Sequence, residues 1–175
     1  MAELIMGKNL ILFFREYAKR TTEDGAKLRF QTEHSMSFEK ETEATSTKDG
    51  IINTISDGEN TVDITSLAYI DDDETLETWK ELRDMFKRNA LVEIWEVDIT
   101  NATAEALAVE PLYIQGYFTS FEISAPADGQ VELSYSFAVN GNGVTSADTL
   151  TAEQLTAVQS TLYEYQTIKA TGAEV

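Results

Sequence analysis

The 175-residue sequence contains few side chains that could act as nucleophiles, general bases or metal ligands. It has no cysteine and a single histidine, His34. The absence of cysteine excludes disulfides, cysteine-based zinc sites and cysteine nucleophiles. His34 lies beside a segment that alternates like a β-strand, where a histidine is more often a surface or hydrogen-bonded residue than a catalytic base. The sequence therefore disfavours catalysis that depends on cysteine or histidine.

A run of acidic residues, Asp71 to Glu74, is the next candidate for chemistry. The run lacks the glycine and the terminal glutamate that a calcium-binding loop places at fixed spacing. It precedes apolar residues at helical spacing, and the basic residues Lys87 and Arg88 close that segment. Acids at the start and bases at the end complement a helix dipole. We interpret the acids as helix caps and predict no catalytic, cofactor-binding or metal-binding residue.

The net charge of −18, from 13 basic and 31 acidic residues, indicates a chain that repels nucleic acid. Lys169 is the only basic residue after Arg88. No stretch approaches the roughly 20 apolar residues of a membrane span, and the amino terminus does not resemble a signal peptide. We expect a protein that folds in the cytoplasm and has no membrane partner.

Alternating apolar and polar residues predict a mainly β protein. The strands are expected in "NLILFFRE", "AKLRFQTEH", "SMSFEKET", "TVDITSLAY", "LVEIWEVD", "LYIQGYFTSFEIS" and "VELSYSFAVNG". Gly116 interrupts one strand, which indicates a bulge or the close approach of another backbone. Asp128-Gly129 predicts a turn that joins the last two strands as a hairpin, and "NGNG" (140–143) predicts another turn. Thr151 and Gln154 have the spacing of a capping box before a short helix.

The last of these strands has two different faces. Its apolar residues, which we expect in the core, are Val131, Leu133, Tyr135, Phe137 and Val139. The opposite face carries Glu132, Ser134, Ser136 and Asn140, and it has no lysine or arginine. A surface this smooth and free of positive charge needs an explanation.

Residues 42–61 form a long polar segment with a short apolar patch, and it resembles a hairpin excursion or loop. Loops longer than about 12 residues in a compact domain are usually functional or disordered. The segment is therefore a candidate contact element, with a mobile surface loop as the alternative. Its candidate contact residues are Glu43, Thr45, Lys48, Asp49, Ile51 and Ile52.

Four segments together resemble the major tail protein, or tail tube protein, of long noncontractile phage tails of Gram-positive bacteria, the lactococcal phage type. They are "GKNLILFFRE", "TKDG" (47–50), "LVEIWEVD" and "YIQGYFTSFEISAPADGQVELSYSFAVNGNG" (113–143). The last is the most specific, because a hairpin, its turn and the terminal glycines follow in order. The resemblance covers most of the chain, with residues 101–111 and the segment from about residue 150 less typical.

The resemblance implies a partly rolled, two-sheet β-sandwich with one flanking α-helix, formed by residues 1–175 as a single domain. It implies a structural protein of the virion tail, assembled in the host cytoplasm as hexameric rings that stack into a tube, without a cofactor. The partners would be further copies of the chain, the tape measure protein, the tail terminator and the baseplate initiator. Genomic DNA would pass through without specific binding. Glu132, Ser134, Ser136 and Asn140 would then face the lumen, and the segment 42–61 would contact another subunit.

Three alternatives stay open at the level of sequence. A tube of a contractile tail or of a secretion system shares the implied fold. A β-sandwich binding module would need exposed aromatic residues in a cleft, whereas Trp79 and Trp95 have the pattern of core residues on a helix and a strand. An enzyme that uses acidic residues alone would need a deep pocket.

Overall fold

The computed structural model describes residues 2–70, 78–103, 105–159 and 168. The elements in chain order are β1 (Leu10–Glu16), β2 (Ala26–Lys27), β3 (Gln31–Ser37), β4 (Lys40–Thr47), β5 (Gly50–Asp57), β6 (Asn60–Leu67), α1 (Thr78–Lys87), β7 (Val92–Asp98), β8 (Ala108–Val109), β9 (Leu112–Ser124), β10 (Glu132–Thr145), β11 (Asp148–Thr149) and α2 (Ala152–Gln159). The acidic run 71–74 and Lys169 lie outside the described residues.

Seven strands pair into one antiparallel sheet in the order β2-β1-β7-β9-β10-β6-β3. Two further ladders, β4-β5 and β8-β11, have two strands each. The predicted mainly β, partly rolled fold with a flanking helix is confirmed. The strands foreseen as two sheets lie in one curled sheet and these two small ladders.

The rolled shape is held by side chains that link the edge strand β3 to the far side of the sheet. The Gln31 amide donates to the Leu12 carbonyl of β1 at 3.1 Å and accepts from its N–H at 3.4 Å. His34 Nε2 lies 2.7 Å from Glu96 Oε2 of β7. Gln31 thus bonds a backbone position of β1 as a neighbouring strand would, and His34 is a hydrogen-bonded residue.

The inner face of the sheet forms the main core, and α1 covers it. The fully enclosed side chains include Leu12, Val62, Leu82, Ile94, Leu133 and Phe137. The helix turns Leu82 and Met85 into this core, and Phe86 stacks on Phe121 of β9. Trp79 packs against the same core and donates its indole N–H to the Tyr69 carbonyl. The predicted helix is present, and its predicted start lies outside the described residues.

The outer face of β1 and β7 is covered by α2 and the β8-β11 ladder. Phe13, Val97, Leu150 and Leu155 form a second buried cluster there, with Trp95 packed against it. The predicted capping box is confirmed, since the Gln154 N–H donates to Thr151 Oγ1 at 3.1 Å and Gln154 Oε1 accepts from the Thr151 N–H at 3.0 Å. The outer face of β9, β10, β6 and β3 is not part of this cluster.

One local prediction is wrong, and the interpretation of a second segment as a hairpin is confirmed. The "NGNG" segment is not a turn, because β10 continues through it and pairs with β9 again at Val144. Gly141 and Gly143 have positive φ, which allows a bulge of extra residues without ending the strand. The polar segment from residue 42 is an antiparallel hairpin of β4 and β5, closed by Lys48 and Asp49. The β-branched residues of this segment favour an extended backbone. Its N–H and C=O groups therefore pair in a regular ladder.

Candidate assembly surfaces

The polar residues of β10 share one face of the sheet with the polar residues of three neighbouring strands. Glu132, Ser134, Ser136 and Asn140 alternate with the buried Leu133, Tyr135 and Phe137. Directly paired residues in a sheet point to the same side. The surface they form with β9, β6 and β3 is called the open face, and its further members by register are Glu33, Ser35, Ser37, Thr61, Asp63, Thr65, Gln115, Tyr117, Ser120, Glu122 and Ser124.

The open face is acidic along each of its strands. Glu33, Asp63, Glu122 and Glu132 come from β3, β6, β9 and β10 in turn. None of the register-aligned residues of this face in the described strands is a lysine or arginine. Ser136 Oγ donates to Asp63 Oδ1 at 2.7 Å, so a hydroxyl and a carboxylate of adjacent strands are tied together on the surface. The face is smooth, polar and negatively charged.

A polar network separates the open face from the covered part of the sheet. Glu93 is 2% exposed and accepts from Arg15 Nε at 2.7 Å and from the Tyr113 hydroxyl. Gln115 Nε2 donates to that hydroxyl at 2.7 Å. Burial, and next Glu93, raise the pKa of Tyr113 to about 12. The charges of Arg15 and Glu93 are thus matched inside the subunit.

The second candidate surface is the β4-β5 hairpin, which we call the arm. Every residue of both strands is exposed. With eight residues per strand, the arm is about 26 Å long at roughly 3.3 Å per residue. A two-stranded hairpin is at best marginally stable alone in water. The arm therefore has the form of an element that gains its contacts from another molecule.

The six predicted contact residues are all exposed on the arm. Glu43, Thr45 and Ile52 share one face by register, and Lys48 and Asp49 form the tip. The other face carries Ile51 and Ile55, which are 71% and 70% exposed. β-branched apolar side chains on both faces suit pairing or packing with another protein surface.

Four exposed residues of these two surfaces were not predicted from the sequence: Ile55 and the acids Glu33, Asp63 and Glu122. Ile55 continues the alternation of "GIINTISD", so a longer strand assignment would have found it. The three acids lie on predicted strands, but only the register of those strands aligns them with Glu132. Such nonlocal pairing has no local sequence signal.

The described part of the chain contains no group of three or more histidine, cysteine, aspartate or glutamate side chains placed to hold a metal ion. Among its helices, none is long and apolar enough to cross a membrane. One depression, about 200 Å³ in volume, is lined by residues such as Trp95, Asp148 and Gln154. It lies beside the second buried cluster, away from the open face.

Comparisons with known proteins agree with this architecture. Residues 5–145 match the family model described as "Phage tail tube protein". A putative tail protein of Staphylococcus phage phiMR25 is 28% identical over 194 residues, an alignment that covers 96% of this chain and 97% of the relative.

Solved structures share the fold at low sequence identity. The tail tube of SPP1 matches with a TM-score of 0.69 and 17% identity, covering 97% of this chain and 96% of that one. The tail of an empty gene transfer agent particle, refined with C6 symmetry, matches with a TM-score of 0.57 and 12% identity over 83% and 99% of the two chains. The sheath-tube complex of an extracellular contractile injection system matches with a TM-score of 0.55 and 10% identity over 86% and 95%.

Proposed function

The chain belongs to the phage tail tube protein family, and we propose that it builds the tube of a long noncontractile tail of a phage of Gram-positive bacteria. The family is structural and non-enzymatic, so the chain is a component of the virion tail and not an enzyme. In the proposed tube, six copies form a ring and rings stack through their arms. The C6 symmetry of the gene transfer agent tail supports a ring of six.

The open face is the observation that carries the proposed role in DNA passage. In the tube it lines the lumen, with Glu132, Ser134, Ser136 and Asn140 on one of its four strands. Lysine or arginine on the wall would bind phosphates and release counterions, which would hold the DNA. A wall of hydroxyls and carboxylates repels the phosphates weakly along the whole channel. The genome therefore passes without specific binding.

The arm supplies the contact between subunits. Beyond its root it flexes in the free subunit and becomes ordered against the next ring, because neither of its faces has a core of its own in the described chain. The tape measure protein inside the tube, the tail terminator at one end and the baseplate initiator at the other are the further partners of this assembly. We also propose that residues 1–175 form a single domain and that the tube is assembled in the host cytoplasm.

Truncation of the arm tests this function. Thr42 and Ile55 are cross-strand partners, so residues 43–54 can be replaced by Asn-Gly, the preferred two-residue hairpin turn. We expect a folded monomer by circular dichroism and gel filtration that forms no tubes at high concentration in negative-stain microscopy. The control, Thr42→Ser with Thr54→Ser, alters the arm without shortening it and should form tubes. Tubes of normal length from the truncated chain would show that the arm is not the contact.

The similarity to a contractile injection system favours a second candidate function, in which the chain forms the inner tube of a contractile machine. Such a tube must bind a sheath on its outer surface, whereas a noncontractile tube leaves that surface free. Purified tails from infected cells separate the two: a sheath protein in stoichiometric amount would favour the contractile machine.

A further inference from the structure

We propose that Asn142 is a positioning residue which, together with Asn60 and Asp57, clamps the root of the arm and sets the direction in which the arm leaves the sheet. The inference rests on the proposed function only in taking the arm to contact another subunit. The clamp itself lies within one chain, at the end of β6 and β10.

Asn60 is the centre of the clamp. The residue is 4% exposed, and its Nδ2 donates to the Gly141 carbonyl at 2.7 Å and to Asn142 Oδ1 at 2.9 Å. Its Oδ1 accepts from the Glu39 N–H at 2.9 Å. One buried side chain thus joins the segment that enters the arm to the bulge of β10. A buried amide with these partners is costly to leave unsatisfied, which fixes the three segments relative to each other.

Asn142 extends the clamp to the arm itself. Its Nδ2 donates to Asp57 Oδ2 at 2.9 Å, while Lys40 of the opposite strand binds Asp57 Oδ1. Hydrogen bonds from Lys40 and then from Asn142 hold the pKa of Asp57 below its ordinary value. Asn142 therefore acts in two directions, as an acceptor for Asn60 and as a donor for the carboxylate at the foot of the arm.

The glycines beside Asn142 explain its position. Gly141 and Gly143 have φ of 71° and 76°, which L side chains rarely adopt. A Cβ at Gly143 would lie 2.8 Å from Ile114 Cγ2 and 3.0 Å from the Tyr113 carbonyl of β9. The bulge is thus pressed against β9, and its middle residue is turned toward the arm. The "NGNG" sequence places a side-chain amide at the root of the arm.

The rest of the root gives the arm little orientation. The β3-β6 ladder ends at Ser37 and Thr61, and the ladder of the arm begins at Lys40 and Asp57. Between the two ladders the Gly58 N–H donates to the Glu39 carbonyl at 2.9 Å. A rotation of about 10° at this junction would displace the tip of a 26 Å arm by roughly 4 to 5 Å, given the rise per residue of a strand. Apolar side chains are in contact only within about 4.5 Å, so a displacement of this size would break contacts that the tip makes with the next ring.

A reciprocal exchange tests the clamp. Asn142→Asp keeps an acceptor for Asn60 but sets a carboxylate against the carboxylate of Asp57, which should release the arm. Adding Asp57→Asn restores a donor and an acceptor with their roles reversed. Asn142→Ala, which leaves no acceptor or donor, should release the arm and should not be rescued by Asp57→Asn. All four proteins should remain folded, because residues 57 and 142 are exposed.

The readout is the position of the arm in the isolated chain. The sequence has no cysteine, so Asp49→Cys at the tip and Glu122→Cys on β9 give two spin-label sites and one distance distribution by pulsed electron paramagnetic resonance. We expect the width of the distribution to increase at least twofold in Asn142→Asp and to return in the exchanged pair, with tube assembly slowed about tenfold and restored in parallel. A width unchanged by Asn142→Asp and Asn142→Ala would overturn the clamp. Normal tubes from the truncated arm would instead overturn the role of the arm as the contact between rings, and they would leave the distance measurement intact, since that measurement needs no assembly.

Discussion

Residues on the inner face of β10 are buried and contribute to stability, whereas those on the open face are not in the core. Phe137 is the clearest example on the inner face. Its side chain is fully buried and meets the ring of Phe118 edge-on at 5.2 Å. Phe137→Ala should lower the free energy of unfolding by about 3 to 5 kcal/mol, as phenylalanine truncations in cores do. Denaturant unfolding measures this loss. Ser134→Ala, on the open face, is the control, and its free energy of unfolding should stay within about 0.5 kcal/mol of the parent value. A loss below about 1 kcal/mol for Phe137→Ala would contradict the assignment of Phe137 to the core.

Tyr135 should make the stability of the fold depend on pH in the alkaline range. Burial raises its pKa to about 12, and its hydroxyl lies 3.1 Å from Ser66 Oγ. The unfolded chain releases this proton near the ordinary value of 10.0, whereas the folded chain retains it to higher pH. Stability is therefore complete below pH 10 and falls as pH rises from about 10 to 12. Tyr135→Phe should lose less stability across this range in urea titrations, and an identical loss would show that Tyr135 does not titrate on unfolding.

At the scale of elements, the pairing of β9 with β10 depends on Gly116. A Cβ at this position would lie 1.8 Å from the Ala138 carbonyl oxygen, a distance that requires the two strands to separate. Gly116→Ala should therefore cost about 3 kcal/mol or more, the upper range for overpacking. Gly7→Ala is the control, because no atom lies within 4 Å of its added Cβ. Equal melting temperatures for the two variants would contradict the close approach.

The sequence predicted those elements whose signals are local. Gly116 in the middle of an alternating strand indicated a close approach of backbone, and Thr151 with Gln154 indicated a helix start. The "NGNG" segment was wrongly predicted as a turn, because glycines occur in β-bulges as well as in turns. Only the renewed pairing of Val144 with β9 identifies the segment as a bulge. The polar segment from residue 42 lacked the hydrophobic alternation of a half-buried strand, because both of its faces are exposed.

The same limit applies to the candidate sites. Alternation along β10 was enough to group Glu132, Ser134, Ser136 and Asn140. The acids of β3, β6 and β9 join that face only through register, which depends on pairing between residues far apart in sequence. The clamp at Asn60 likewise unites side chains that are 82 and 85 residues apart in its two longest links.

For the whole molecule, the charge of the open face should control the passage of DNA. Asp63→Lys with Glu122→Lys replaces two acids by two bases on the two strands that flank β10, among serine and threonine side chains. Every subunit of the tube would then offer phosphate contacts, so ejection should slow and raised salt should partly restore it. Ejection is followed by release of fluorescently stained DNA from virions.

The matched control for this charge reversal is Glu23→Lys with Asp84→Lys. These exposed residues lie near β2 and on α1, away from the open face, and the variant has the same net charge. It should eject DNA at the parental rate. Equal rates for both variants and the parent, with the substitutions verified in the virion, would mean that the open face does not meet DNA.

The most direct test of the whole account is a helical reconstruction of the assembled tube by cryo-electron microscopy at a resolution that shows side chains. We predict rings of six subunits, a channel wall formed by β3, β6, β9 and β10 with Ser134 and Glu122 at its surface, and an arm seated on the neighbouring ring. A tube in which the open face lies on the outside, or in which the arm projects into solvent, would contradict the account.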